Sequence, residues 1–207
     1  MQEMSSAELP CIKVLGLGNL LWADEGFGVR VAEQLFGRYQ LPPSVEVIDG
    51  GTQGLLLLPY VEAADKLIIL DAIDFGLQPG ELRVFCNEAV PAYLTAKKMS
   101  LHQTGFSEVL GLAELKGNYP EEVVLIGVQP VVLEDYGGSL SDPVRAQVAP
   151  ALALAERQLT EWGVVLSPRQ DEDRLNDDSL SMTRYEAERP SEEVACRVGD
   201  ARVWGGV

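Results

Sequence analysis

The sequence predicts a three-layer α/β fold, a twisted and mostly parallel sheet of about five strands with helices on both faces. Two observations lead there. Short runs rich in Val, Ile and Leu recur along the chain, and segments with helical apolar spacing separate most of them. Strands that alternate with helices need crossover connections, and a sheet built by crossovers is covered on both faces. A third observation sets the scale: 207 residues suffice for one well-packed core.

The first strand is expected at 12–17 (IKVLGL), followed by GNLLWADE and a helix over 26–38 (GFGVRVAEQLFGR). A second strand follows at 45–49 (VEVID), then the glycine-rich turn GGTQG and a helical pattern over 53–63. The third strand is LIILD at 67–71, the fourth ELRVF at 81–85. A helix over 103–116 (QTGFSEVLGLAELK) leads to the fifth strand at 123–128 (VVLIGV), and a last helical pattern covers about 141–162. Residues 1–166 are therefore expected to form a single α/β domain. From 167 to 207 the chain turns charged and aperiodic and is expected to be a mostly flexible tail. In such folds crossovers are right-handed, and ligands gather outside the carboxyl ends of the strands.

Composition narrows the function. The formal net charge is -16, with 32 acids against 16 bases. Nucleic acid and anionic membrane surfaces need clustered Lys and Arg, so neither is expected as a partner. Cys11, Cys86 and Cys196 are odd in number and far apart, which suggests neither a disulfide framework nor a thiolate zinc site and fits a reducing cytoplasm. The polar opening MQEMSSAELP lacks the features of a secretory signal. The most apolar segment, GLLLLPYVEAADKLIILDAI, is interrupted by Pro59, Glu62, Asp65 and Lys66, short of the roughly 20 apolar residues of a membrane span.

The chemistry-bearing residues fall after strand ends. Asp24 and Glu25 follow the first strand, Asp49 closes the second before Gly50, Gly51 and Thr52, and Asp71 closes the third. His102, the single histidine, stands near the start of the helix after the fourth strand. Glu25, Asp71 and His102 would share one rim of the sheet. Two carboxylates and an imidazole there make an N/O donor set suited to Zn, Ni or Fe(II). Each residue also has a plainer explanation. Acids in a helix's first turn favour its positive dipole end by about 0.3–1 kcal/mol, Asp before Gly-Gly suits a turn, and a lone His is commonly surface or packing. Asp71 is the hardest to explain away, because burying an acid in LIILDAID without a partner is unfavourable.

Other chemistries find less support. There is no G-x-S-x-G elbow, no phosphate-binding G-x-x-x-x-G-K-[ST] loop and no H-E-x-x-H helix. A Cys86/His102 dyad is possible, but Cys86 reads as an inward or edge-strand position with an inert, buried thiol. A nucleotide-binding enzyme, taking NAD or FAD, is the stronger rival. Gly16 and Gly18 fit the first two glycines of the fingerprint and Asp49 the ribose position, yet Leu21 replaces the third glycine and two acids follow where a pyrophosphate would sit.

The pieces GLGNLLWADEGFGVRVAE, VEVIDGGTQGLLLL, LIILDAIDFGLQPG, KKMSLHQTGFSEVLGLA and LIGVQPVVLEDYGGSLS, in this order over residues 11–166, resemble the maturation endopeptidases of nickel-iron hydrogenases. LNDDSLSMTRYE in the tail resembles the longer members that serve membrane-bound uptake, or hydrogenase-1 type, large subunits. The resemblance implies an endopeptidase that removes the C-terminal extension of the hydrogenase large-subunit precursor after nickel insertion. It implies metal contact through Glu25, Asp71 and His102, with the nickel supplied by the substrate rather than held by the free enzyme. Those residues could polarise the scissile bond through the metal, or a carboxylate could activate water as in an aspartyl-type protease. The turn Asp49-Gly50-Gly51-Thr52 is expected to line the substrate cleft, since glycines let a peptide approach closely. A non-hydrolytic nickel-binding checkpoint protein is the alternative within the same resemblance.

Overall fold

The computed structural model describes residues 10–90, 101–133 and 135–189, with the side chains of 101–104 excepted. Strand β1 (Ile12–Leu17) leads through a 3-10 turn (Ala23–Gly26) into helix α1 (Phe27–Arg38). Then come the short β2 (Tyr39–Gln40), β3 (Val45–Gly51), a 3-10 turn (Gly54–Leu57) and α2 (Leu58–Glu62). Strands β4 (Lys66–Ala72) and β5 (Leu82–Cys86) precede α3 (Leu101–Leu115) and β6 (Glu122–Val128). The chain continues through α4 (Asp142–Arg145), α5 (Val148–Glu161), β7 (Ser167–Pro168), a 3-10 turn (Asp178–Leu180) and α6 (Met182–Glu188). Each element expected from the sequence is present, with ends moved by a few residues. The pattern over 141–162 divides into α4 and α5, and α4 opens on Ser141 with Pro143 in its first turn, where a missing N–H is harmless.

The main sheet has the order β3-β1-β4-β6-β5. All neighbours are parallel except β5, which lies antiparallel to β6 at the edge. Side chains alternate across the sheet with period two. Ile12, Val14, Ile68, Leu70, Ala72, Val124 and Ile126 face one core with α1 and α5. Leu15, Leu17, Leu67, Ile69, Val123 and Leu125 face the other with α2 and α3. The helices complete these layers with stripes at helical spacing: Phe27, Val31 and Leu35 on α1, and Phe106, Val109, Leu110 and Ala113 on α3. Each such buried side chain contributes roughly 1.5–3 kcal/mol.

The chain leaves β1 for β3 on one side and then crosses to β4 on the other. The order therefore reverses between β1 and β4, and a crevice opens at the carboxyl ends of those two strands.

The segment after residue 167 carries structure. β7 pairs antiparallel with β2, Leu166, Leu175 and Met182 pack against the α1/α5 core, and α6 lies beyond. Within the expected tail, Leu175 and Met182 are two apolar residues among many charges and leave no periodic signal, so the sequence expectation of a tail starting at 167 misses this packing. Residues 190–207 lie outside the described residues. Among the described residues no helix is long and apolar enough to cross a membrane.

Candidate active site

The stretch GLGNLLWADEGFG lies at the mouth of the crevice and is held by backbone contacts. Gly18 sits at φ +114°, and a Cβ added there would stand 1.8 Å from the carbonyl oxygen of Glu25. A Cβ on Gly28 would stand 2.0 Å from the Leu70 carbonyl oxygen, so α1 rests directly on β4. Gly18 N–H donates to Gly51 O at 3.0 Å, which ties this loop to the turn after β3. The Glu25 backbone packs against Gly18, and the two acids of the same turn disfavour a pyrophosphate there.

Asp24 and Glu25 occupy one 3-10 turn, which packs against β4, and they behave differently. Asp24 is fully buried. Its Oδ2 accepts from Val131 N–H (2.8 Å), Val132 N–H (2.9 Å) and Ser141 Oγ (2.9 Å), and its Oδ1 accepts from Ser141 N–H (2.7 Å). A buried carboxylate is tolerated when donors surround it in this way. Asp24 thus clamps two distant loops to the turn. Its bonding partners lie 107 to 117 residues along the chain, so no local pattern in the sequence points to them. Glu25, the next residue, is only half-buried.

Asp71 closes β4 at the other side of the same crevice and is fully buried. Its Oδ1 accepts from Ala72 N–H at 2.8 Å. By strand parity it belongs to the layer of Leu67 and Ile69, the one covered by α3. In register it pairs with Gly127, over which the Phe75 ring lies, with Cζ only 2.8 Å from where a Cβ would be. The loop carrying Phe75 is fixed by Gln129, whose Oε1 accepts from Phe75 N–H (2.8 Å) and Leu77 N–H (3.0 Å) while Nε2 donates to Asp74 Oδ1 (3.0 Å). Gln129, buried in the LIGVQP motif, is a supporting residue that sequence reasoning passed over.

His102 lies in the first turn of α3, and its side chain is outside the described residues. Position 102 precedes the buried Phe106 by four residues, about one helical turn. Among the described residues no three His, Cys, Asp or Glu side chains stand together so as to hold a metal ion.

Asp49 points elsewhere. It follows Val45 and Val47 on the α1 side of β3 and pairs in register with Gly16, opposite in parity to Asp71. Burial raises its pKa, Glu33 adds to that, and hydrogen bonds from Asn176 and the Gly51 N–H, with Arg30 nearby, oppose it. Gly51, at φ +45°, and the exposed Thr52 carry the turn toward the α3 side, where Gly54 packs against Gly105. Cys86 is exposed on edge strand β5, not buried as the sequence suggested, because β5 has a neighbour on one side only.

An open, mostly parallel sheet whose strand order reverses between β1 and β4, with an acid near the end of β4 and two more in the turn after β1, is of the doubly wound α/β class. The family model described as hydrogenase maturation protease (HycI) matches residues 29–158. The hydrogenase expression/formation protein HupM of Azotobacter chroococcum mcd 1 is 56% identical over 194 residues, covering 93% of each chain. The hydrogenase 2 maturation protease of Escherichia coli (strain K12) is 43% identical over 160 residues, 77% of this chain and 96% of that one. The structure of the hydrogenase maturating endopeptidase HybD from E. coli matches with a TM-score of 0.73 at 43% identity, over 76% of this chain and 97% of that chain. The chain belongs to the hydrogenase maturation protease family.

Proposed function

We propose that this endopeptidase removes the C-terminal extension of the nickel-iron hydrogenase large-subunit precursor after nickel insertion, and that Glu25, Asp71 and His102 meet the nickel carried by that substrate. The observation that supports the reading best is that Asp71 lies at the end of β4 and the turn bearing Glu25 follows β1, the two strands between which the order reverses, in a chain of this family. Position 102 stands about one helical turn before Phe106, which is buried in the layer of Leu67 and Ile69. Oxygen donors with one imidazole suit a borderline ion such as nickel. Because the metal arrives with the precursor, it is substrate, and the free enzyme needs none of its own.

The two carboxylates are suited to different work. Asp71 is buried and oriented by the Ala72 N–H, which fits a fixed contact to the metal-bearing end of the substrate. Glu25 is half-buried at the crevice mouth, within reach of solvent. Peptide hydrolysis requires water to lose a proton as its oxygen adds to the carbonyl carbon, and the departing amine to gain one. Glu25 is the group to take and return that proton, which makes the enzyme aspartyl-type in the broad sense of carboxylate-driven hydrolysis. Gly51 and Thr52, rather than the Asp49 carboxylate, form the cleft wall on the β3 side, with Gly50 behind them against Leu17. A cytoplasmic setting belongs to the same proposal, and the two described cysteines, Cys11 and Cys86, are free thiols in keeping with it.

The test is a purified cleavage reaction with nickel-loaded and nickel-free precursor. Only the loaded precursor is shortened, and Glu25→Gln, Asp71→Asn and His102→Ala each stop cleavage while keeping the wild-type far-UV circular dichroism. Equal cutting of both precursors overturns the nickel requirement. A precursor left full length by the wild-type protein overturns hydrolysis in favour of a nickel checkpoint protein.

A further inference from the structure

We propose that residues 167–189 belong to the catalytic apparatus: through Glu186 and Arg145 they fix the loop that clamps Asp24, and Asp24 is the positioning residue for Glu25. The proposal rests on the reading of Glu25 given above. It concerns a part of the chain beyond residue 158, where the family model ends.

The chain of contacts starts at the site. Asp24 is held from both sides, its carboxylate by donors from Val131, Val132 and Ser141, and its own N–H by Val132 O at 3.1 Å. Glu25 is attached to Asp24 by one peptide bond, and its carbonyl rests against Gly18. The loop 137–141 is fixed in turn. Gly137 N–H donates to Leu21 O at 2.7 Å, so the loop lies along the segment that precedes the turn. Arg145 N–H donates to Ser141 O at 2.7 Å, and its guanidinium donates to Leu140 O (3.1 Å) and Ser139 Oγ (3.2 Å).

The C-terminal segment closes over this loop from the outside. Glu186 accepts from Arg145 at 2.7 Å and from Ser139 Oγ, and Tyr185 OH donates to Gly138 O at 3.2 Å. The segment is itself anchored on α1. Buried Arg30 donates to Leu180 O and lies 5.7 Å from the Tyr185 ring, and Asn176 donates to Glu33 at 3.0 Å. One face of the loop thus meets the turn of the site and the other meets α6. A shift at Glu186 reaches Asp24 through rigid, hydrogen-bonded neighbours, without a flexible joint between them.

The experiment uses the full chain with Ser141→Ala, which removes one donor to Asp24, and Glu186→Ala, which releases the loop at a partly exposed position. Cleavage of nickel-loaded precursor gives kcat and KM, and hydrogen exchange reads the amides of residues 22–26. Both variants are expected to lose roughly tenfold in kcat with KM unchanged, since small misplacements of a reacting group are costly in rate. The amides of 22–26 exchange faster in both, and Ser141→Thr, which keeps the hydroxyl, restores most of the rate. Wild-type kcat and wild-type exchange in both alanine variants overturn the proposal, even if melting temperatures fall. Wild-type cleavage by Glu25→Gln overturns the reading beneath it, and the exchange data, which do not depend on activity, tell that failure from a failure of the clamp.

Discussion

Replacing Gly18 by Ala tests whether the glycines after β1 serve backbone packing. Two penalties combine. The residue sits at φ +114°, where an L side chain costs about 1–3 kcal/mol. Its new Cβ would also stand 1.8 Å from Glu25 O, and forcing atoms into a filled site costs typically about 1–3 kcal/mol. The sum, roughly 2–6 kcal/mol, lowers the melting temperature on the order of 10 °C for a domain of this size. The effect on activity is larger than the effect on folding. The turn must retreat by more than about 1 Å to regain ordinary contact, and even a displacement of about 1 Å at a reacting group costs on the order of a hundredfold in rate. Thermal unfolding by circular dichroism and precursor cleavage below the melting range measure the two separately. Gly37→Ala is the control: a Cβ there meets nothing within 4 Å, and Ala in that helical position gains roughly 0.5–1 kcal/mol. A Gly18→Ala protein that melts and cuts like the wild type refutes the idea that Gly18 seats the Glu25 backbone.

Other outcomes follow from the same contacts. Burial holds the Asp49 pKa above its ordinary value, so the folded state binds that proton more tightly than the unfolded chain. Its contribution to stability is full below the ordinary Asp range and is lost as pH rises through the raised value. Asp49→Asn, which does not titrate, therefore gains on the wild type between acid and neutral pH in denaturant titrations, and a pH-independent difference refutes this. Arg169 donates Nε–H to Phe36 O at 2.7 Å and lies 4.1 Å from the Phe36 ring centroid. Arg169→Ala costs about 2 kcal/mol and speeds limited proteolysis after residue 167 while the body stays intact; an unchanged digestion rate counts against the docking. Cys86 is exposed, so iodoacetamide labels it in the native protein, and Cys86→Ser keeps full cleavage. Loss of cleavage in that variant would revive the Cys86/His102 dyad.

What could be read from the sequence was what repeats. The alternation in IKVLGL and LIILD and the stripe of Phe106, Val109, Leu110 and Ala113 carry their periods openly, and the strands and helices stand where those periods put them. Asp71 was legible for a related reason: an acid at the end of an apolar run needs an explanation. The function of Asp24 was not, because its partners Val131, Val132 and Ser141 come from loops with no period of their own. The packing of residues 167–189 was hidden in the same way, since Leu175 and Met182 are single anchors among charges. Asp49 was misleading, because its place at a strand end suggested the rim of the crevice while its parity turns it toward α1.

Parity puts Asp71 on the α3 side. In β4, a slip of one residue would exchange Asp71 with Leu70 or Ala72 and turn the carboxylate toward the α1/α5 core, among Ile68, Val124 and Ile126, where no ligand could reach it. On the side it does occupy, Asp71 meets the layer that α3 covers, and the phase of that helix is fixed by Phe106, which is buried and leaves no freedom to rotate. Position 102 then follows from helix geometry alone, one turn before Phe106. Glu25 is placed by a third and independent device, the Asp24 clamp and the Gly18 contact. Strand register, helix phase and turn packing have no common origin in the sequence: the first sets the face of Asp71, the second the position of residue 102 on α3, the third the backbone of Glu25. The shared substrate contact proposed for the three residues requires that loss of the turn packing, by Gly18→Ala or Ser141→Ala, impair cleavage before it impairs folding.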